Sequence, residues 1–129
     1  MEELRINCEN GSCLIIGDIE FEESDFSANI FLKSDWYEAK VVFSSSQDRL
    51  VDFLQELKKI LSENQGKANF INDEGNFDLD LTLDESTGKA QINGVLIKSM
   101  MDESRLEYFM ESDYLTLEKF KDSLDNLLS

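Results

Sequence analysis

Residues 66–110 alternate, and that alternation limits the fold more than any other feature of the chain. Phe77, Leu79, Leu81 and Leu83 interleave with Asp78, Asp80 and Thr82. Successive side chains leave opposite faces of a pleat, so an apolar set interleaved with a charged set describes a strand covered on one face. The run before it puts Ala68 and Phe70 together, the run after it Ala90 and Ile92, and a fourth alternates Leu106, Tyr108 and Met110. Between them stand Asp73-Glu74-Gly75-Asn76 and Asp84-Glu85-Ser86-Thr87-Gly88, rich in residues that accept tight turns. Four such runs with short connections predict an antiparallel meander with one wet face.

The chain before the meander predicts two hairpins and a helix. Leu4, Ile6 and Cys8 precede Glu9-Asn10-Gly11-Ser12, and Cys13-Leu14-Ile15-Ile16 follows. Asn-Gly between apolar runs signals a type I′ hairpin, because both residues accept positive φ. A two-residue loop sets Glu9 opposite Ser12 and Cys8 opposite Cys13, in a pair whose side chains approach closely. In a reducing cytosol these are expected as two small core residues; a strained cross-strand disulfide acting as a redox switch is the alternative. Phe26, Ala28, Ile30 and Leu32 alternate into a turn at Lys33-Ser34-Asp35, and Trp36-Tyr37 open the returning strand. That aromatic pair is either a binding platform or cover for the core and the strand edge. A helix over 45–61 follows, with Ser45 and Asp48 resembling a capping box. Leu50, Phe53, Leu54, Leu57, Ile60 and Leu61 form its apolar stripe, Lys58 and Lys59 suit its C-terminal dipole, and Gly66 ends the segment. After the meander, Asp113 leads into a last helix with Leu117, Phe120, Leu124 and Leu127 on one face. The reading is a single α+β domain over 1–129, its largely antiparallel sheet (two hairpins plus a four-stranded meander) packed with two helices.

Composition removes whole classes of function. With 28 acidic and 12 basic residues the net charge is −16, and it is spread along the chain. Nucleic acid and anionic membrane both need cations against phosphate, so neither is expected as a partner; a basic protein is. There is no histidine, which removes the commonest general base and excludes Ser-His-Asp and Cys-His machinery. Two cysteines without histidine do not make an ordinary four-ligand zinc site. No apolar run approaches the roughly 20 residues that cross a bilayer, and the opening MEELRINCEN lacks the apolar stretch of a signal peptide. A cytoplasmic protein without metal or cofactor is expected.

Two constellations of acids bear on chemistry. Asp78-Leu79-Asp80-Leu81-Thr82 fits the DxDxT string of haloacid dehalogenase-type phosphatases, the alternative reading, with Asp78 as nucleophile and Mg²⁺ bound by Asp78 and Asp80. That chemistry needs the string at the C-terminal end of a parallel strand, and no βαβ pattern flanks it. A calcium loop counted from Asp78 puts Leu83 at its sixth place and Lys89 at its twelfth, where glycine and glutamate belong. The reading left is an acidic docking face, in which Asp78, Asp80, Asp84 and Glu85 join Glu20, Glu22, Glu23 and Asp25. Trp36 and Tyr37 are candidate apolar contacts.

The order of these elements is similar to that in the WapI family of bacterial immunity proteins. It runs through Phe26-Ser27, the helix, Gly66-Lys67-Ala68, Gly75-Asn76-Phe77-Asp78-Leu79, Asp84-Glu85-Ser86-Thr87-Gly88, Gly94 and Asp113. The likeness spans 25–128 and leaves the first hairpin outside. It implies a cytoplasmic antidote, with no reaction of its own, made beside a polymorphic or contact-dependent toxin and binding that toxin's C-terminal domain. A basic nuclease domain is the implied partner, its active site occluded. An acidic adaptor for some other protein is the remaining alternative. The resemblance assigns no binding residues, and the oligomeric state is left open.

Overall fold

A computed structural model describes residues 3–34, 37–98 and 104–129. The first four strands are β1 (Leu4–Asn7), β2 (Cys13–Glu22), β3 (Asp25–Lys33) and β4 (Glu38–Ser46). They form one antiparallel sheet in chain order. Helix α1 (Gln47–Glu63) leads to β5 (Gly66–Ile71), β6 (Phe77–Leu83), β7 (Lys89–Ile97) and β8 (Arg105–Asp113), and α2 (Tyr114–Leu128) closes the chain. These later strands form the second sheet, again antiparallel in chain order. The fold is α+β, as the alternation and the two helical stripes predict. The expected hairpins, however, are fused: β2 pairs with β3 through a register shift between Gly17 and Glu20, making a second meander. Its link is the tight turn 22–25, where Glu23 takes a positive φ of 54° without glycine, a turn hard to see in a run of acids.

Both sheets bury one face, and the two buried faces meet at a cluster of phenylalanines. Phe70 of β5 lies within 5.7–6.5 Å, centroid to centroid, of Phe26 and Phe43 in the first sheet, Phe53 in α1 and Phe77 in β6. Phe53 in turn meets Phe120 of α2 at 6.2 Å. Edge-to-face and tilted pairs of this kind add to the burial of large apolar surface. The stripe Leu50, Phe53, Leu54, Leu57, Ile60, Leu61 is buried throughout, as are Leu117, Phe120 and Leu124. Asp113 caps α2 by accepting from the Thr116 backbone N–H at 2.8 Å, which holds its carboxyl below the usual range.

Three local expectations are corrected. Cys8 does not face Cys13. Ser12 donates to the Glu9 carbonyl while Cys8 donates to the Ser12 carbonyl, so the loop holds Glu9, Asn10 and Gly11 and the register pairs Asn7 with Cys13. Asn10 and Gly11 do adopt positive φ, at 62° and 75°, but the extra residue sends the two thiols to opposite faces of the sheet. Cys8 packs against the core, and burial, followed by the nearby Cys13, pushes its thiol up to about 12. The capping box is also absent. Ser45 is buried at the end of β4, and α1 starts only at Gln47, after Ser46, whose N–H donates to Asp73. At the other end Asn64, not Gly66, stops α1 by turning left-handed (φ 58°).

The loop between β5 and β6 ties the sheets together. Asn72 and Asn76, either side of Asp73-Glu74-Gly75, are buried, 1% and 7% exposed. Asn72 Nδ2 donates to the Ser44 carbonyl and Asn76 Nδ2 to the Val42 carbonyl, both on β4. Asn72 Oδ1 accepts the Phe77 N–H at 2.9 Å, which fixes the loop to its own hairpin.

Candidate acidic docking face

Residues on the outer face of the second sheet can be read from register. One cross-strand row is Asn69–Asp80–Asn93–Phe109, and the next is Ile71–Asp78–Val95–Glu107. A shallow hollow of about 410 Å³ lies over Asp78, Asp80, Asn93, Glu107 and Phe109. Phe109 is 57% exposed, an aromatic ring left on the wet side of its strand. Ile71, 41% exposed, stands at the other side of the same face.

The two aspartates are held by an amide. Asn69 Nδ2 donates to Asp78 Oδ1 at 2.9 Å and to Asp80 Oδ1 at 2.7 Å. No described lysine or arginine forms an ion pair with either carboxylate. Desolvation raises the Asp78 pKa, the bond from Asn69 opposes it, and the charge of Asp80 adds to it. Partial burial, with Asp80 alongside, therefore resists the ionisation of Asp78.

Behind this face the backbone is fixed by an unusual contact. Tyr108 is buried, and its hydroxyl donates to the Asp78 carbonyl at 2.7 Å. It crosses β7 at Gly94, where a Cβ would lie 1.9 Å from the Asp78 oxygen and 2.7 Å from the Tyr108 hydroxyl. Only glycine leaves that space open. Burial, then the charges of Asp78 and Asp80, push the Tyr108 pKa up, so the phenol stays a donor.

The other acids lie elsewhere. Asp84 and Glu85 sit in the β6–β7 turn, beside a wider hollow of about 760 Å³ that Gln65 and Gly66 also line. Ser86, through side chain and backbone, lowers the Asp84 pKa. Glu20, Glu22, Glu23 and Asp25 belong to the end of β2, the start of β3 and the turn between them, on the first sheet, where Gln47 at the start of α1 donates to the Glu23 and Asp25 carbonyls. The eight acids therefore occupy three places and not one continuous face. Tyr37 is half-buried against the core, and Trp36 lies outside the described residues. The sequence reading missed Phe109. Its signal was present: an apolar residue at the polar parity of the run Leu106, Tyr108, Met110.

The DxDxT string lies inside β6, antiparallel to both neighbours, and lacks the parallel strand end that phosphatase chemistry uses. Among the described residues no group of three or more Cys, Asp or Glu is placed to hold a metal ion. No described helix is long and apolar enough to cross a membrane. Compared with known proteins, the chain matches no family model, no curated protein and no solved structure.

Proposed function

We propose that this chain is a cytoplasmic immunity protein that neutralises a basic toxin domain by docking it on the outer face of the second sheet. One observation carries the reading. Asp78 and Asp80, partly buried beside exposed Phe109, are gathered by Asn69 and paired with no described cation. Carboxylates around an aromatic anchor suit a protein partner, because the charges steer and orient while the ring supplies affinity. A nuclease cleft is basic because its substrate is a polyphosphate, and an acidic sheet face can occupy it in the substrate's place. The net charge of −16 favours fast encounter with such a partner.

The test is co-expression with the toxin domain encoded beside the chain, followed by purification of the complex. Rescue of growth, a one-to-one complex and association that slows as salt rises are expected. Phe109→Ala should weaken the complex by about 2 kcal/mol or more. The double variant Asp78→Asn/Asp80→Asn should slow association while circular dichroism stays unchanged. Growth arrest by every neighbouring toxin despite the chain ends the proposal, and rescue indifferent to all three substitutions removes this face from it.

A further inference from the structure

An antiparallel sheet leaves unpaired N–H and C=O groups along the free side of each edge strand, and folded proteins block such edges. The edge strands here are β1, β4, β5 and β8. On β4 the carbonyls of Val42 and Ser44 accept from Asn76 and Asn72, and the Ser46 N–H donates to Asp73. On β5 the Asn69 N–H donates to Glu56 of α1, and the Ile71 carbonyl accepts from Arg49. The short β1 has its Asn7 carbonyl taken by the Ser112 hydroxyl at 2.7 Å.

Elsewhere along these edges outward groups such as those of Glu38 and Lys40 have no such partner, and β8 has none along its length among the described residues. The Lys98 N–H to Ser104 carbonyl and Tyr114 N–H to Gly88 carbonyl bonds mark hydrogen-bonded pairs at the two ends of its ladder with β7. Such pairs alternate along an antiparallel ladder. By the register, Leu106, Tyr108, Met110 and Ser112 bond inward to β7, and Glu107, Phe109 and Glu111 turn their N–H and C=O groups outward. No group among the described residues bonds those outward atoms.

We infer that the partner adds an extended, basic strand to β8, pairing with the outward backbone of Glu107, Phe109 and Glu111. This rests on the docking reading above and supplies its geometry. Strand addition takes affinity from main-chain bonds and specificity from alternate side chains. The side chains next to the open edge are Glu107 and Glu111 on either side of Phe109, so lysine or arginine at alternate positions complements them. Their present cations are loosely held: Arg105 and Glu107 are both exposed at 3.2 Å, and Lys89 stands 3.8 Å from Glu111. A second copy of the chain centred on Phe109 is a poor occupant. Antiparallel self-pairing about Phe109 would set Glu107 against Glu111, and like charges directly opposite destabilise a strand pair.

A synthetic peptide of alternating lysine and valine is the probe, beside the same peptide N-methylated along one edge, with amide hydrogen exchange followed by NMR. The plain peptide should slow exchange at Glu107, Phe109 and Glu111 by at least about tenfold, and the methylated one should not. Glu107→Pro removes one outward N–H without touching the β7 ladder and should abolish binding, while Glu107→Gln keeps most of it. If both peptides bind equally and protect no β8 amide, strand addition is overturned and charge-guided docking stands. If neither binds, or if the chain dimerises through β8 without peptide, a basic strand is not the occupant, whatever the toxin rescue shows.

Discussion

The two sheets have the same plan, four antiparallel strands in chain order with one face in a common core, yet their outer faces differ in kind. On the first sheet Ile15, Phe31 and Lys40 share one cross-strand row, Arg5 stands at its end, and Lys40 lies 5.1 Å over the Phe31 ring. On the second, Asp78, Asp80 and Glu107 surround Phe109, and no cation covers the two aspartates among the described residues. The sheets differ again at their edges: two asparagines take the Val42 and Ser44 carbonyls of β4, and no described group takes an outward backbone atom of β8. The inner faces are dictated by packing and have little freedom. Chemistry that distinguishes one half from the other is confined to the surfaces that packing leaves alone.

The strongest challenge to this comparison is at the shared interior. Phe70→Ala should cost about 4 kcal/mol and lower the unfolding transition of both sheets together. Separate transitions, read by exchange at β3 and β6 amides, would mean that the halves are independent and their likeness incidental. Gly94→Ala is next and acts on the second sheet alone. A Cβ 1.9 Å from the Asp78 carbonyl forces the backbone apart, at about 3 kcal/mol by denaturant titration. Asn72→Ala should cost about 2–3 kcal/mol, since the Phe77 N–H and Ser44 carbonyl lose their partner in a buried place. A near-neutral result would show that β4 does not need its seal.

The smallest effect has the opposite sign. The Asp78 pKa is raised in the folded chain, so its ionisation is resisted there and not in the unfolded chain. Stability linked to this group is full below the unfolded value of about 3.9 and declines as pH rises through the higher folded value. Asp78→Asn should therefore stabilise at neutral pH, by about 0.5 kcal/mol or less given partial exposure, and flatten that decline. The same variant should bind the partner more weakly. A change that lowered stability and left binding intact would assign Asp78 to the fold and not to the docking face.

Much of the interior was legible because it is local. Phe77, Leu79, Leu81 and Leu83 are all buried, and the helical stripe from Leu50 to Leu61 is buried residue for residue. What was not legible depends on distant partners. Asn72 and Asn76 look like turn residues, and only the carbonyls of Val42 and Ser44, about thirty positions earlier, explain their burial. Cys8 was misplaced because Asn10-Gly11 fixes the backbone sign of a turn but not the number of residues in the loop, and one more residue exchanges the faces. The acids were grouped by sequence density, whereas the sheet sorts them by parity and by strand. Phe109 follows that same parity, which puts it on the outer face opposite Tyr108 and Met110.

The asparagine loop acts as a latch between two halves joined covalently by α1. While it is fastened, each half closes on its own counterpart. If it is unfastened, as in Asn72→Ala, exchange of halves between copies is the expected competing way to bury the same surface, and size-exclusion chromatography of that variant at high concentration should show a dimer that the unaltered chain lacks.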